Sequence, residues 1–233
     1  MSLFRKKSDV PEEQALLAAM DDIRNRPKDP PDVSEEADDA LSDDVVADAG
    51  EATPGVVTAE DGGPMLDFGS VRVPAVDGMQ LRVEIDEQET PVAVTVMLDE
   101  TQLQIQAFAA PRSESLWDEV RQEIAEGIRG SQGKAREADG PFGRELQAEV
   151  VMADPQGKTV RQPVRFVGID GDRWFLRGLI TGAGATEPPR AEQVEAVFAG
   201  VEVERGSHAA APRDPLEIVV PQDPALVAQP DDE

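Results

Sequence analysis

No run in this chain constrains the fold as tightly as PVRFVGIDGDRWFLRGLITG, residues 163–182. It reads as two strands joined across Asp170-Gly171, a dipeptide suited to the positive φ values of a tight hairpin. On the second strand Trp174, Leu176 and Ile180 share one face, while Phe175 and Leu179 point to the other with Arg177 between them. A strand that is apolar on both faces belongs in the middle of a sheet, covered by a helix on at least one side.

Other strands flank this hairpin in sequence. QLRVEID alternates Leu81, Val83 and Ile85 with polar neighbours, and VAVTVML is a more continuous apolar run. TQLQIQAF places Leu103, Ile105 and Ala107 on one face and Gln102, Gln104 and Gln106 on the other. Their closeness along the chain makes an antiparallel meander the economical pairing. KAREADGPFGRELQAEVVM reads as strand, turn and strand, with Gly140, Pro141 and Gly143 as punctuation.

Two helices complete the pattern. After Phe108 the apolar period lengthens to nearly four: Leu116, Val120, Ile124 and Ile128 form a stripe with Trp117 beside it. Ser113 or Ser115 is the expected N-cap, and Ser115 with Asp118 loosely resembles a capping box. Glu114, Asp118 and Glu119 then sit in the first turn, where the helix dipole favours negative charge. The second helix follows Gly182 and Gly184, offers Ala191, Val194, Val197 and Phe198 to a core, and stops at Gly200, with VEVE as a short last strand. The expected class is α+β: a single domain of mainly antiparallel sheet packed against two helices.

Aromatic side chains mark where the order lies. Of seven Phe and two Trp, only Phe4 precedes Phe68 and none follows Phe198. Residues 1–63 carry seventeen acidic against six basic side chains, too little apolar surface to offset an ordering cost of roughly 1 to 2 kcal/mol per residue. They are expected to be a disordered acidic arm, with a short helix over residues 11–25 where Leu16, Leu17, Met20 and Ile23 fall at helical spacing. The folded domain is expected over residues 64–205. An extended C-terminal arm should follow over residues 206–233, in which residues 214–220 could dock on the domain.

The residue inventory removes many chemistries. There is no cysteine, so no disulfide, thiolate metal site or thiol nucleophile. A catalytic serine needs a base, and the only histidine, His208, lies in the loop-like GSHAAAP; Ser113 and Ser115 are therefore helix-capping residues. Gly182 and Gly184 between strand and helix are reminiscent of a dinucleotide fingerprint, but Glu187 stands in the place of the third glycine and would repel a pyrophosphate. No catalytic, cofactor-binding or metal site is expected. Arg112, Arg173, Arg177 and Arg213, with Asp118, Asp170 and Asp172 as carboxylates, are the only polar cluster that could serve interaction or catalysis. Ser113, Ser115, Trp117, Asp170, Gly171 and Trp174 are read as structural.

Forty-eight acidic against 22 basic side chains give a net charge of −26. That argues against direct nucleic-acid binding, which gains affinity from clustered Lys and Arg. No apolar run approaches the ~20 residues of a membrane span, and ALLAAM near the N-terminus is too short for a signal core. A cytoplasmic location is expected, and a partner protein with a basic surface suits the charge. Oligomeric state is not set by the sequence.

Five stretches, LDFGSVRVPAVDGMQLRVE, LQIQAFAAPRSESLWDEVR, DGPFGRELQAEV, PVRFVGIDGDRWFLRGLITG and APRDPL, together resemble an uncharacterised actinobacterial family, domain of unknown function 3710. The resemblance covers residues 65–221 and implies an intracellular, highly acidic protein with no assigned activity or catalytic residues. The element order is similar to the Mog1 and PsbP-like adaptor folds. Three functions are weighed: a non-enzymatic adaptor domain with charged arms, an enzyme using arginine and carboxylate groups, and an acidic accessory to a nucleic-acid-processing protein.

Overall fold

The hairpin at residues 163–182 does occupy the centre. In the computed structural model, which describes residues 56–58, 64–86, 90–112, 115–153, 157–206 and 210–220, eleven strands and two α-helices are present among the described residues. The strands are β1 Val56–Thr58, β2 Pro64–Asp67, β3 Val71–Pro74, β4 Gln80–Ile85, β5 Pro91–Leu98, β6 Thr101–Ala109, β7 Lys134–Gly140, β8 Gly143–Ala153, β9 Thr159–Asp170, β10 Trp174–Gly182 and β11 Glu202–Val203. Helix α1 is Trp117–Gly130 and α2 is Pro188–Ala199, preceded by a 3₁₀ turn at Ala183–Ala185. The expectations for Ser113, for His208, for the helix over residues 11–25, for the acidic segment before residue 56 and for the tail beyond residue 220 lie outside the described residues.

Seven strands form one antiparallel sheet in the order β4-β5-β6-β10-β9-β8-β7, and four form a smaller one, β1-β2-β3-β11. Strand β10 is thus fourth of seven. Its alternation splits as expected: Phe175 and Leu179 join Trp117, Ile124, Ile128, Leu146 and Phe166 in a core beneath α1. Leu176 and Ile180 join Leu103, Ile105, Val194, Phe198, Val73 of the small sheet and Phe68 of the turn between β2 and β3 in a core on the other face. The protein is α+β, with α1 on one side of a seven-stranded antiparallel sheet and α2 plus a small sheet on the other.

The two covering layers are offset. Helix α1 packs on β7, β8 and β9, whereas α2 packs on β5 and β6 and on β3 of the small sheet. Each layer leaves half of its face to polar side chains. On the α1 side of β6, Gln104 and Gln106, expected on a polar face, are 3% and 6% exposed; Gln106 donates from Nε2 to the Val92 carbonyl at 3.0 Å. On the α2 side of β8 and β9 lies the charged groove described below.

Four local details depart from expectation. The hairpin turn falls one pair later than Asp170-Gly171: Gly171 N–H donates to the Trp174 carbonyl, and the positive φ belongs to Arg173 at +63°. Gly171 is required for space, because a Cβ there would stand 2.1 Å from the Trp174 ring. Helix α1 has Leu116 at its N-cap with no side-chain cap from its own segment. Gly200 ends α2 at φ −91°, outside the left-handed region, and its lack of a side chain makes room for Pro74, whose Cγ would lie 2.7 Å from an added Cβ. Finally, the small sheet reaches into the segment expected as an arm, since Val56–Thr58 pairs with β2.

The C-terminal segment lies along the domain. Ala109 N–H donates to Asp214 O, and Leu216 N–H to Ala107 O, both at 2.8 Å. Further on, Ser70 N–H donates to Glu217 O and Val219 N–H to Phe68 O. Leu216 and Ile218 are buried in the core shared by the two sheets, so this segment ties β6 to the small sheet.

Candidate functional site

Strand alternation builds the groove. On β8, Leu146, Ala148 and Val150 face α1, which turns Glu145, Gln147 and Glu149 to the opposite side. In the β8/β9 register Gln147 stands opposite Arg165 and Glu149 opposite Pro163. Lys134 and Arg136 of β7 lie opposite Glu149 and Gln147. Across from this charged half-face run the 3₁₀ turn and α2, and between them opens a groove of about 830 Å³.

Arg165 forms its floor. Its Nε donates to Glu145 Oε1 at 3.1 Å and its Nη2 to Glu145 Oε2 at 2.7 Å, a bidentate fork. Nη2 also donates to Glu195 Oε1 of α2 at 2.8 Å, and Nη1 to the Gly184 carbonyl at 3.3 Å. The Arg165 and Glu145 side chains are 9% and 3% exposed. Burial lowers the Arg165 pKa, but the hydrogen bonds and charges of Glu145 and then Glu195 outweigh it and hold the guanidinium above its ordinary value. Glu145 Oε1 further accepts from Gln147 Nε2 at 2.7 Å, and Gln147 Oε1 accepts from Arg136 Nη2. A polar chain therefore runs from the sheet edge to α2.

The glycines before α2 serve this packing. Gly182 has φ +73°, and an added Cβ would lie 2.1 Å from the Glu100 carbonyl. Gly184 N–H donates to Thr101 Oγ1 at 3.0 Å. Ala183 N–H is bonded to Glu100 O, and Thr186 and Glu187 N–H to Ala183 O. The loop spends its donors on its own fold, and α2 begins with Glu187 at the N-cap and prolines in the first turn. Those prolines remove the donors that an anion would need.

The four arginines singled out in the sequence hold separate places. Arg112 is exposed. Arg173 sits in the hairpin turn, its carbonyl accepting from Ala110 N–H at 2.9 Å. Arg177 lies over the Phe108 ring at 5.3 Å and donates to Gln106 Oε1. Arg213 pairs with two carboxylates of α1, Glu119 at 2.5 Å and Glu123 at 3.0 Å, which hold its guanidinium above the ordinary value against the opposing effect of burial. Of the carboxylates weighed with them, Asp118 pairs with Arg121 at 2.6 Å and Asp170 caps α1. Among the described residues no group of three or more His, Cys, Asp or Glu could hold a metal ion, and no helix is long and apolar enough to cross a membrane.

Arg165, Glu145 and Glu195 were not singled out by the sequence. One signal was available: Arg165 interrupts an apolar run that alternates into both cores, an inward position that a charge occupies only with partners. Which partners was not readable, because they come from β8 and α2.

The chain belongs to the family described as protein of unknown function (DUF3710), whose model matches residues 49–226. None of the curated proteins matches it. Among solved structures, cyanobacterial PsbP (CyanoP) from Synechocystis sp. PCC 6803 is similar at a TM-score of 0.35 and 11% identity, covering 69% of this chain and 98% of that one.

Proposed function

We propose that this protein is a non-enzymatic interaction module of the cytoplasm that recruits another protein through electrostatic attraction to a basic surface. The observation that carries this reading is the closure of the Arg165 centre. All three guanidinium nitrogens are engaged within the fold, by Glu145, Glu195 and the Gly184 carbonyl, and Arg213 is likewise taken up by Glu119 and Glu123. Charges spent on one another brace a domain. The net charge of −26 and an α1 surface that exposes Asp118 and Glu119 supply the attraction.

The test uses a partner captured from cells with the full-length chain. Its association rate should fall steeply as salt rises, because attraction beyond a Debye length of about 8 Å is screened at physiological ionic strength, while dissociation changes less. Deleting residues 32–44, an acidic stretch, should reproduce much of that slowing at low salt. An association rate indifferent to both would remove the electrostatic part of the proposal.

A second reading, an enzyme of arginine and carboxylate groups, is favoured by one observation: the groove brings Arg165, Glu145 and Glu195 together beside open volume. Reproducible turnover of a metabolite by the full-length chain, abolished by Glu195→Gln with folding intact, would establish it in place of the first.

A further inference from the structure

The large sheet ends in two edges that are treated differently. At one end β7 carries Lys134, Arg136, Glu137 and Asp139, and its Ala135 carbonyl is taken by Arg129 Nη2 at 3.0 Å. Charge and an occupied backbone acceptor blunt an edge against further pairing. At the other end β4, QLRVEI, pairs among the described residues only with β5. It carries Ile85 at 49% exposure, and Val76, also exposed at 42%, lies just before it.

Which backbone groups β4 turns outward follows from the neighbouring hairpin. Leu98 and Thr101 close the two-residue loop between β5 and β6, so Leu98, Val96 and Val94 direct their N–H and C=O groups to β6, and Met97, Thr95 and Ala93 direct theirs to β4. The same alternation turns Ala107 and Ala109 of β6 to that side, where they bond Leu216, Arg213 and Asp214 beyond the last β5–β6 pair, Val94 with Ile105. Opposite Met97, Thr95 and Ala93 stand Gln80, Arg82 and Glu84. The outward groups of β4 are therefore those of Leu81, Val83 and Ile85.

An antiparallel copy of β4 meets this edge in one register that satisfies both backbone and side chains. With a two-fold axis at Val83, Val83 faces the second copy's Val83 and Leu81 faces its Ile85; on the opposite side of the sheet Arg82, which already pairs with the buried Glu84 of its own strand at 2.6 Å, faces the second copy's Glu84. The three outward positions then form reciprocal pairs, roughly six inter-strand hydrogen bonds, and the pairs from Leu81 to Ile85 are apolar with apolar or positive with negative, with Gln80 opposite Asp86 at either end. Centring on Ile85 would set Glu84 against Asp86; centring on Leu81 would leave Ile85 without a neighbour. We propose that two copies of this chain pair through β4 in the Val83-centred register, joining their seven-stranded sheets into one.

The test is sedimentation of the full-length chain over a wide concentration range, with amide hydrogen exchange at Leu81, Val83 and Ile85. A reversible dimer is expected, with exchange at these three amides slowing as the dimer fills. Ile85→Lys alters an exposed side chain and should leave the monomer folded while weakening association by roughly a hundredfold or more, since each dimer loses two buried isoleucines. Val83→Pro removes an outward donor without touching the β4–β5 ladder and should abolish the dimer. A chain that stays monomeric throughout would overturn the proposal, as would a dimer unchanged by Ile85→Lys. Protection of the three amides that is independent of concentration would overturn it too, by showing that the chain covers its own edge.

Discussion

Asp170, the last residue of β9, caps helix α1 from across the fold, with Trp117 as the first helical residue it holds. Its Oδ1 accepts the backbone N–H of Trp117 at 3.2 Å and that of Leu116 at 2.9 Å, while Oδ2 accepts from Ser115 Oγ at 2.6 Å. The carboxylate satisfies donors that helix geometry leaves open and places negative charge where the dipole favours it. Trp117 then anchors the helix to the sheet: it is 5% exposed, stacks on Phe175 at 6.0 Å and donates from its indole N–H to Arg144 O at 2.6 Å.

Asp170→Ala should destabilise the domain by about 2 kcal/mol, the range of charge-assisted hydrogen bonds combined with a lost cap. Ser115→Ala should cost roughly 0.5 to 1 kcal/mol, because the hydroxyl only buttresses the carboxylate. Urea unfolding of both variants checks the order; a Ser115→Ala cost equal to or above that of Asp170→Ala would show the serine to be the true cap.

The two tryptophans should separate in the same assay. Trp117→Ala removes a buried ring and is expected to cost roughly 3 to 5 kcal/mol. Trp174, only partly buried against the other core, should cost about half as much. Gly168→Ala probes the same contact from the sheet side, since an added Cβ would stand 2.4 Å from the Trp117 ring; overpacking of about 1 to 3 kcal/mol is expected, with a change in tryptophan fluorescence reporting the displaced ring.

At the groove floor, Glu145→Ala leaves Arg165 buried with a single carboxylate and should cost roughly 3 to 5 kcal/mol. Glu195→Ala spares the bidentate pair and should cost about 1 kcal/mol. The folded-state pKa of Arg165 is raised, so the stabilisation linked to its proton is fully present below the unfolded value and is lost only as pH rises through the still higher folded value. The destabilisation caused by Glu145→Ala should therefore be constant from neutral to moderately alkaline pH, and chemical unfolding across that range measures it.

Periodicity carried most of the architecture. The alternation in residues 163–182 placed β10 in the middle of the sheet and sorted Phe175 and Leu179 from Leu176 and Ile180, because a strand's side chains must alternate whatever lies around them. The stripe of Leu116, Ile124 and Ile128 found its helix for the same reason. The cap on that helix was not legible: Ser115 is adjacent in sequence, yet the acceptor that reaches the open N–H groups is Asp170, 53 residues on from Trp117. Nor could the sequence join Arg165 to Glu145 and Glu195, which meet only through the β8/β9 register and the path of α2, or turn the four arginines into a cluster, since Arg177 pairs with Gln106 and Arg213 with Glu119 and Glu123, while Arg112 and Arg173 lie apart at an exposed position and in the hairpin turn. Local rules of backbone and period act within a few residues and are written in the chain itself. The pairing of charges is decided where distant segments converge, and only the folded chain brings them within hydrogen-bond reach.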